Sequence, residues 1–138
     1  MENKKIFIIE DDANLLYGLE SQFAADEFEV ATATGAEELE ELMETLRDFD
    51  PDFIILDLIL PKIDGFEIIK KLKSDDELND KQIFIFTDLS DEDSRQRSLQ
   101  LGADYIFFKD ELDTFEFAEK VKHIVAVSEK SVDRDYEE

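Results

Sequence analysis

Glu10 with Asp11, Asp57, Thr87 and Lys109 each stand directly behind a short apolar run: Lys5–Ile9, Phe53–Leu56, Gln82–Phe86 and Tyr105–Phe108. If these runs are parallel strands, the polar residues share the carboxyl edge of one sheet, where open α/β sheets bind their ligands. Three carboxylates converging there repel one another strongly unless a cation joins them. Two or three carboxylate oxygens with water is a ligand set that Mg²⁺ takes. A hydroxyl and an ammonium beside it suit a phosphoryl group, whose oxygens they bond or neutralise. The pattern points to a Mg²⁺ site beside a nucleophilic carboxylate, Asp57, with Thr87 and Lys109 as phosphoryl-binding groups. Taken by itself, the Asp57 segment reads equally well as a strand ending in a turn cap.

The elements that must position these residues follow from period and punctuation. Phe53–Leu56 is continuously apolar, as in a strand buried on both faces. A lone charge is too costly to bury, which places Asp57 at the strand end, facing solvent or a cation. Pro61 cannot continue a ladder, and Gly65 allows a tight turn. Asp64 is then the N-cap of a helix over 65–73, with Phe66, Ile69 and Leu72 inward. Spacing predicts helices over 13–25 (Leu15, Leu16, Leu19, Phe23) and 36–49 (Leu39, Leu42, Met43, Leu46, Phe49). The last helix is expected over 112–128, with Phe115, Ala118, Val121, Ile124 and Val125 inward. A weakly apolar helix opens with a Ser90–Asp93 capping pair and stops at Gly102. Phe28–Ala33 supplies a further strand. Strands alternating with helices predict an α/β fold, a doubly wound five-stranded parallel sheet with five helices and right-handed crossovers.

The chain of 138 residues suits one domain, expected over 1–128, with a polar acidic tail or linker start at 129–138. An apolar fraction of 43% suffices for a core. With 15 basic against 38 acidic residues the net charge is −23, which repels nucleic acid and anionic membranes. Cysteine is absent, so neither disulfides nor thiolate metal sites are expected. No apolar stretch approaches the roughly 20 residues of a membrane span. These features together lead us to expect a cytoplasmic protein. His123, the single histidine, sits mid-helix beside Lys122 and reads as a surface residue rather than a phosphate donor.

The motifs Ile-Ile-Glu-Asp-Asp at 8–12, Leu-Asp-Leu-Ile-Leu-Pro-Lys-Ile-Asp-Gly-Phe-Glu at 56–67, Thr87, Gly-Ala-Asp at 102–104 and Lys109 occur in order. In this order and spacing the chain resembles a response-regulator receiver domain of two-component signalling, from residue 4 to about 127. The resemblance implies a flavodoxin-like fold with strand order 2-1-3-4-5. It implies that Asp57 accepts a phosphoryl group from a sensor histidine kinase or a histidine phosphotransfer protein. Mg²⁺, with Mn²⁺ as a substitute, would be held by Glu10, Asp11, Asp57 and the backbone carbonyl of Ile59. Thr87 would bond the phosphoryl oxygen and draw its loop inward, while Lys109 would pair with the phosphoryl group. Asp12 reads as a helix-start acid rather than a ligand. Enzymatic activity would extend only to self-phosphorylation and dephosphorylation. A downstream effector or detached output domain, or a second copy, would engage the face of the fourth helix, fifth strand and fifth helix.

Departures from the family pattern are specific. Asp110 follows Lys109 where the family usually has proline on a cis bond. Asp88 follows Thr87 where a small residue is usual, and could repel a phosphoryl dianion. Ile106 stands where the family's switch aromatic usually lies, with Tyr105 one residue earlier and expected to pack on a neighbouring helix. Ile59 and Leu89 flank the expected path of the hydrolytic water and are both apolar, which predicts a long-lived phosphorylated state. The alternative is a degenerate receiver: a phosphorylation-independent interaction module. A flavodoxin-like electron carrier would need a hydroxyl- and glycine-rich phosphate loop after the first strand, where this chain has three acids.

Overall fold

The structure is a computed structural model that describes residues 4–137, with side chains through Ser128. Its strands are β1 (Lys5–Ile9), β2 (Glu29–Ala33), β3 (Phe53–Leu56), β4 (Gln82–Thr87) and β5 (Tyr105–Phe108). The helices are α1 (Ala13–Ala25), α2 (Leu39–Phe49), α3 (Gly65–Ser74), α4 (Glu92–Leu101) and α5 (Thr114–Glu137). The sheet has the order β2-β1-β3-β4-β5, and every pairing is parallel. The expected topology is therefore the observed one, with β2 and β5 at the edges.

Residues alternate between the two faces of each strand, and this divides the core. Phe7, Ile9, Ile54, Leu56, Ile83 and Ile85 meet Leu42, Met43 and Leu46 of α2 and Ile69 and Leu72 of α3. Ile6, Ile8, Ile55, Phe84 and Phe86 meet Leu19 and Phe23 of α1 and Phe117, Val121 and Val125 of α5. The central strands are buried on both faces, which is why they read as unbroken apolar runs.

Some helix starts differ from expectation because carboxylates bond loop amides. Helix α2 begins at Leu39, not Ala36, since the Glu37 carboxylate accepts from the Thr34 and Gly35 amides and holds a turn there. The cap of α4 is Asp91, not Ser90; its carboxylate accepts from the Ser94 amide at 3.0 Å. Helix α5 starts at Thr114 behind a reciprocal pair: the Asp113 amide bonds the Glu116 carboxylate and the Glu116 amide bonds that of Asp113. That register exposes Phe115 (55%) and buries Phe117, which stacks on Phe86 at 4.0 Å. Ala118, Val121 and Val125 point inward as expected, and Ile124 is half-buried. The helical backbone continues past Ser128 to Glu137.

Candidate functional site

Each site residue is carried to the carboxyl edge by an element whose burial leaves it little freedom. The Glu10 amide donates to the Ala33 carbonyl and the Asp57 amide to the Ile9 carbonyl, both at 3.0 Å. These bonds extend the parallel ladder by one residue and bring both carboxyls beside each other, 2% and 4% exposed. Asp11 is exposed and next in the chain. Carboxylate oxygens of Glu10, Asp11 and Asp57 lie within 4.8 Å of one another.

Lys109 reaches this group from the end of β5. Its ammonium donates to Asp57 Oδ2 and pairs with Glu10 Oε1, both at 2.7 Å. The Lys109 amide donates to the Thr87 carbonyl at 2.9 Å, which fixes where the side chain departs. The described residues contain no cis peptide bond, so the bond to Asp110 is trans, and Lys109 still reaches Asp57. The sequence placed Lys109 beside a phosphoryl group and gave no sign that it bridges Glu10 as well.

Charge is not balanced by this one ammonium. Burial pushes Glu10 up to about 7, and the neighbouring Asp57 charge adds to the rise, while Lys109 and the Asp12 amide only partly oppose it. Burial alone would lower the Lys109 pKa, but its bonds to Asp57 and Glu10 outweigh that and raise it. A group of three acids at this spacing, two of them buried, fits a hard divalent cation by its donor chemistry.

Thr87 is fully buried, and its Oγ1 accepts from the Leu89 amide at 3.3 Å. The Ile59 amide donates to Asp57 Oδ1 at 3.2 Å, which orients the carboxylate. The Ile59 side chain is 51% exposed. Asp12 caps α1 through the Asn14 and Leu15 amides, which is the helix-start role read from the sequence. Asp88 and Asp110 are exposed, and so is His123. Ile106 joins the core on the α2–α3 side of the sheet. Tyr105 stacks on Phe84 of β4 at 5.0 Å and packs against the core that the sheet shares with α1 and α5. Beside the acids lies a cleft of about 400 Å³ lined by residues including Ile59, Leu60, Phe66, Leu89 and Arg97. The Arg97 guanidinium lies 4.1 Å from the centre of the Phe66 ring. Arg97 carries no signal in the sequence, because α4 has almost no apolar period from which to orient it.

A family model described as "Response regulator receiver domain" matches residues 6–122. The transcriptional regulatory protein PrrA of Mycobacterium leprae is 32% identical over 128 residues, covering 92% of this chain and 51% of PrrA. The phosphorylated cyanobacterial phytochrome response regulator RcpA superposes with a TM-score of 0.73 at 29% identity, covering 88% of this chain and 91% of RcpA. The Mn²⁺-bound form of response regulator Rcp1 gives 0.74 at 22% identity, over 86% of this chain and 91% of that one. The chain belongs to the response-regulator receiver domain family. It spans about half the length of the curated relatives it matches.

Proposed function

We propose that this receiver accepts a phosphoryl group on Asp57 from a phosphohistidine of a sensor kinase or phosphotransfer protein and switches a partner-binding surface in response. The observation that carries this reading is the placement of Asp57. Its carboxylate is buried in a group of acids, oriented by the Ile59 amide and bonded to Lys109 at 2.7 Å. A carboxylate so held is a fixed nucleophile rather than a solvated surface acid.

Glu10, Asp11 and Asp57, with the Ile59 carbonyl, would hold Mg²⁺ or Mn²⁺, which supplies neutralisation of phosphoryl oxygens when bound. Lys109 is placed to follow the negative charge from Asp57 onto the transferred group. Thr87 has a hydroxyl proton to donate to a phosphoryl oxygen, and doing so would draw the loop of Leu89 toward Asp57. Ile59 and Leu89 offer an attacking water no polar partner, so the acyl phosphate would be long-lived; rapid hydrolysis in wild type, unchanged by polar replacements there, would refute this.

The test is intact-mass spectrometry after incubation with Mg²⁺ and phosphoramidate, on wild type and Asp57→Asn. One added phosphoryl group, absent in the variant and absent without Mg²⁺, is expected. A folded wild type that gains none supports the second reading, a phosphorylation-independent interaction module, which Asp88 and Asp110 favour. Longer relatives support an output domain as the downstream partner, and the α4–β5–α5 face is the proposed surface for it or for a second copy. We place the protein in the cytoplasm on its charge and composition; no helix among the described residues is long and apolar enough to cross a membrane.

A further inference from the structure

We infer that the mouth of this site is a charge filter: Asp88 and Asp110 repel small dianionic phosphodonors and select a phosphohistidine protein that presents a basic surface. The inference rests on the phosphoacceptor reading above and specifies its donor.

Lys109 pairs with Glu10 and Asp57, and a divalent cation held by Glu10, Asp11 and Asp57 would offset the rest of their charge. Among the described residues, no ion pair offsets Asp12, Asp88 or Asp110 around them. Asp88 directly follows Thr87 at the end of β4, and Asp110 directly follows Lys109 at the end of β5. Both are exposed, as is Asp12, the N-cap of α1 on the loop after β1. The parallel register places these strand ends on the edge that carries Asp57. Near that edge Lys62, on the loop after β3, pairs with Glu38, and the one positive charge of Arg97, over the Phe66 ring, is outnumbered by Asp12, Asp88 and Asp110. The whole chain carries −23, so the long-range field has the same sign as the local one.

A free dianion approaching Asp57 therefore moves against the field. A protein whose phosphohistidine is ringed by lysines moves with it, and gains contacts to Asp88 and Asp110 on arrival. The transfer step is the same for either. An Asp57 oxygen attacks phosphorus and the bond from phosphorus to the donor's leaving atom breaks. For phosphohistidine that atom is an imidazole nitrogen, which takes a proton from solvent.

Salt separates the two cases, because screening weakens repulsion and attraction alike. Initial rates of Asp57 phosphorylation would be read by intact mass at fixed free Mg²⁺. The donors are acetyl phosphate, a dianion, phosphoramidate, a monoanion, and a histidine phosphotransfer protein with lysines around its phosphohistidine. Raising KCl from about 0.02 M to about 0.5 M should speed the acetyl phosphate reaction about three- to tenfold, speed phosphoramidate less, and slow the protein donor. The Asp88→Asn/Asp110→Asn double variant should react faster with acetyl phosphate at low salt and respond less to salt. Salt-indifferent rates, with wild type and double variant alike, would overturn the filter while leaving the phosphoacceptor intact. A folded protein that no donor phosphorylates at any salt would overturn both.

Discussion

The two sides of the Asp57 site are built differently. On one side, the loop from β3 to α3 is tied at several points. Ile59 and Asp64 form an antiparallel bridge, the Gly65 amide donates to the Leu58 carbonyl at 3.1 Å, and Asp64 caps the Phe66 amide at 2.9 Å. The Lys62 amide adds a bond to the Gly35 carbonyl at 3.2 Å. Helix α3 then buries Phe66, Ile68, Ile69 and Leu72. On the other side, Asp88 and Ser90 are exposed, and α4 buries only Ser98, whose hydroxyl bonds its own helix at Ser94. The tied side holds the acceptor; the lightly held side is where a new charge at Asp57 can move structure at low cost.

The contrast breaks most completely at Gly65. A Cβ there would lie 2.4 Å from Leu58 Cα and 2.9 Å from the Asp57 carbonyl oxygen, and that backbone has no room to yield. Gly65→Ala should cost about 3 kcal/mol or more, read as a fall in the urea midpoint. Next comes a matched pair. Leu72→Ala on α3 should cost about 2–4 kcal/mol, since Leu72 is fully buried, whereas Leu99→Ala on α4 should cost about 1 kcal/mol. Equal losses would erase the distinction between the two sides.

A smaller effect comes from Glu10, whose carboxyl titrates at about 7 in the fold against 4.5 for the ordinary group. The folded state thus holds this proton more tightly than the unfolded chain. The stability it contributes is full below about 4.5 and is lost as pH rises through about 7. Without divalent cation, unfolding free energy should fall by about 1–3 kcal/mol from this group between about pH 5 and pH 8. Glu10→Gln should flatten that slope; a slope unchanged by the substitution would mean that burial of Glu10 is not its source.

How far the sequence reaches also differs between these regions. Strands, the parallel α/β class and the positions of Glu10, Asp57, Thr87 and Lys109 were legible because strands buried on both faces are unbroken apolar runs with a polar residue at the end; the strand order was implied by the family resemblance alone. The Asp64 cap and Gly102 stop were legible because each depends on one residue type at one place; Gly102 does adopt φ 118°. The α4 cap, the start of α5 and the orientation of Phe115 were misread. There, competing carboxylates at neighbouring positions decide which amide is bonded, and an acidic chain offers several candidates for every cap. Asp91 beside Ser90, and Asp113 paired with Glu116, are such cases. That Lys109 serves both Glu10 and Asp57 is a matter of tertiary distance that no local pattern encodes.

Phosphorylation of Asp57 should act on the lightly held side. The most direct measurement is hydrogen exchange by mass spectrometry on wild type and Asp57→Asn, with and without phosphoramidate and Mg²⁺. Changed exchange over 87–101 is expected in phosphorylated wild type, with little change over 65–74 and no response in the variant. Phosphorylated protein with exchange unchanged over 87–101, or changed equally over 65–74, would contradict it.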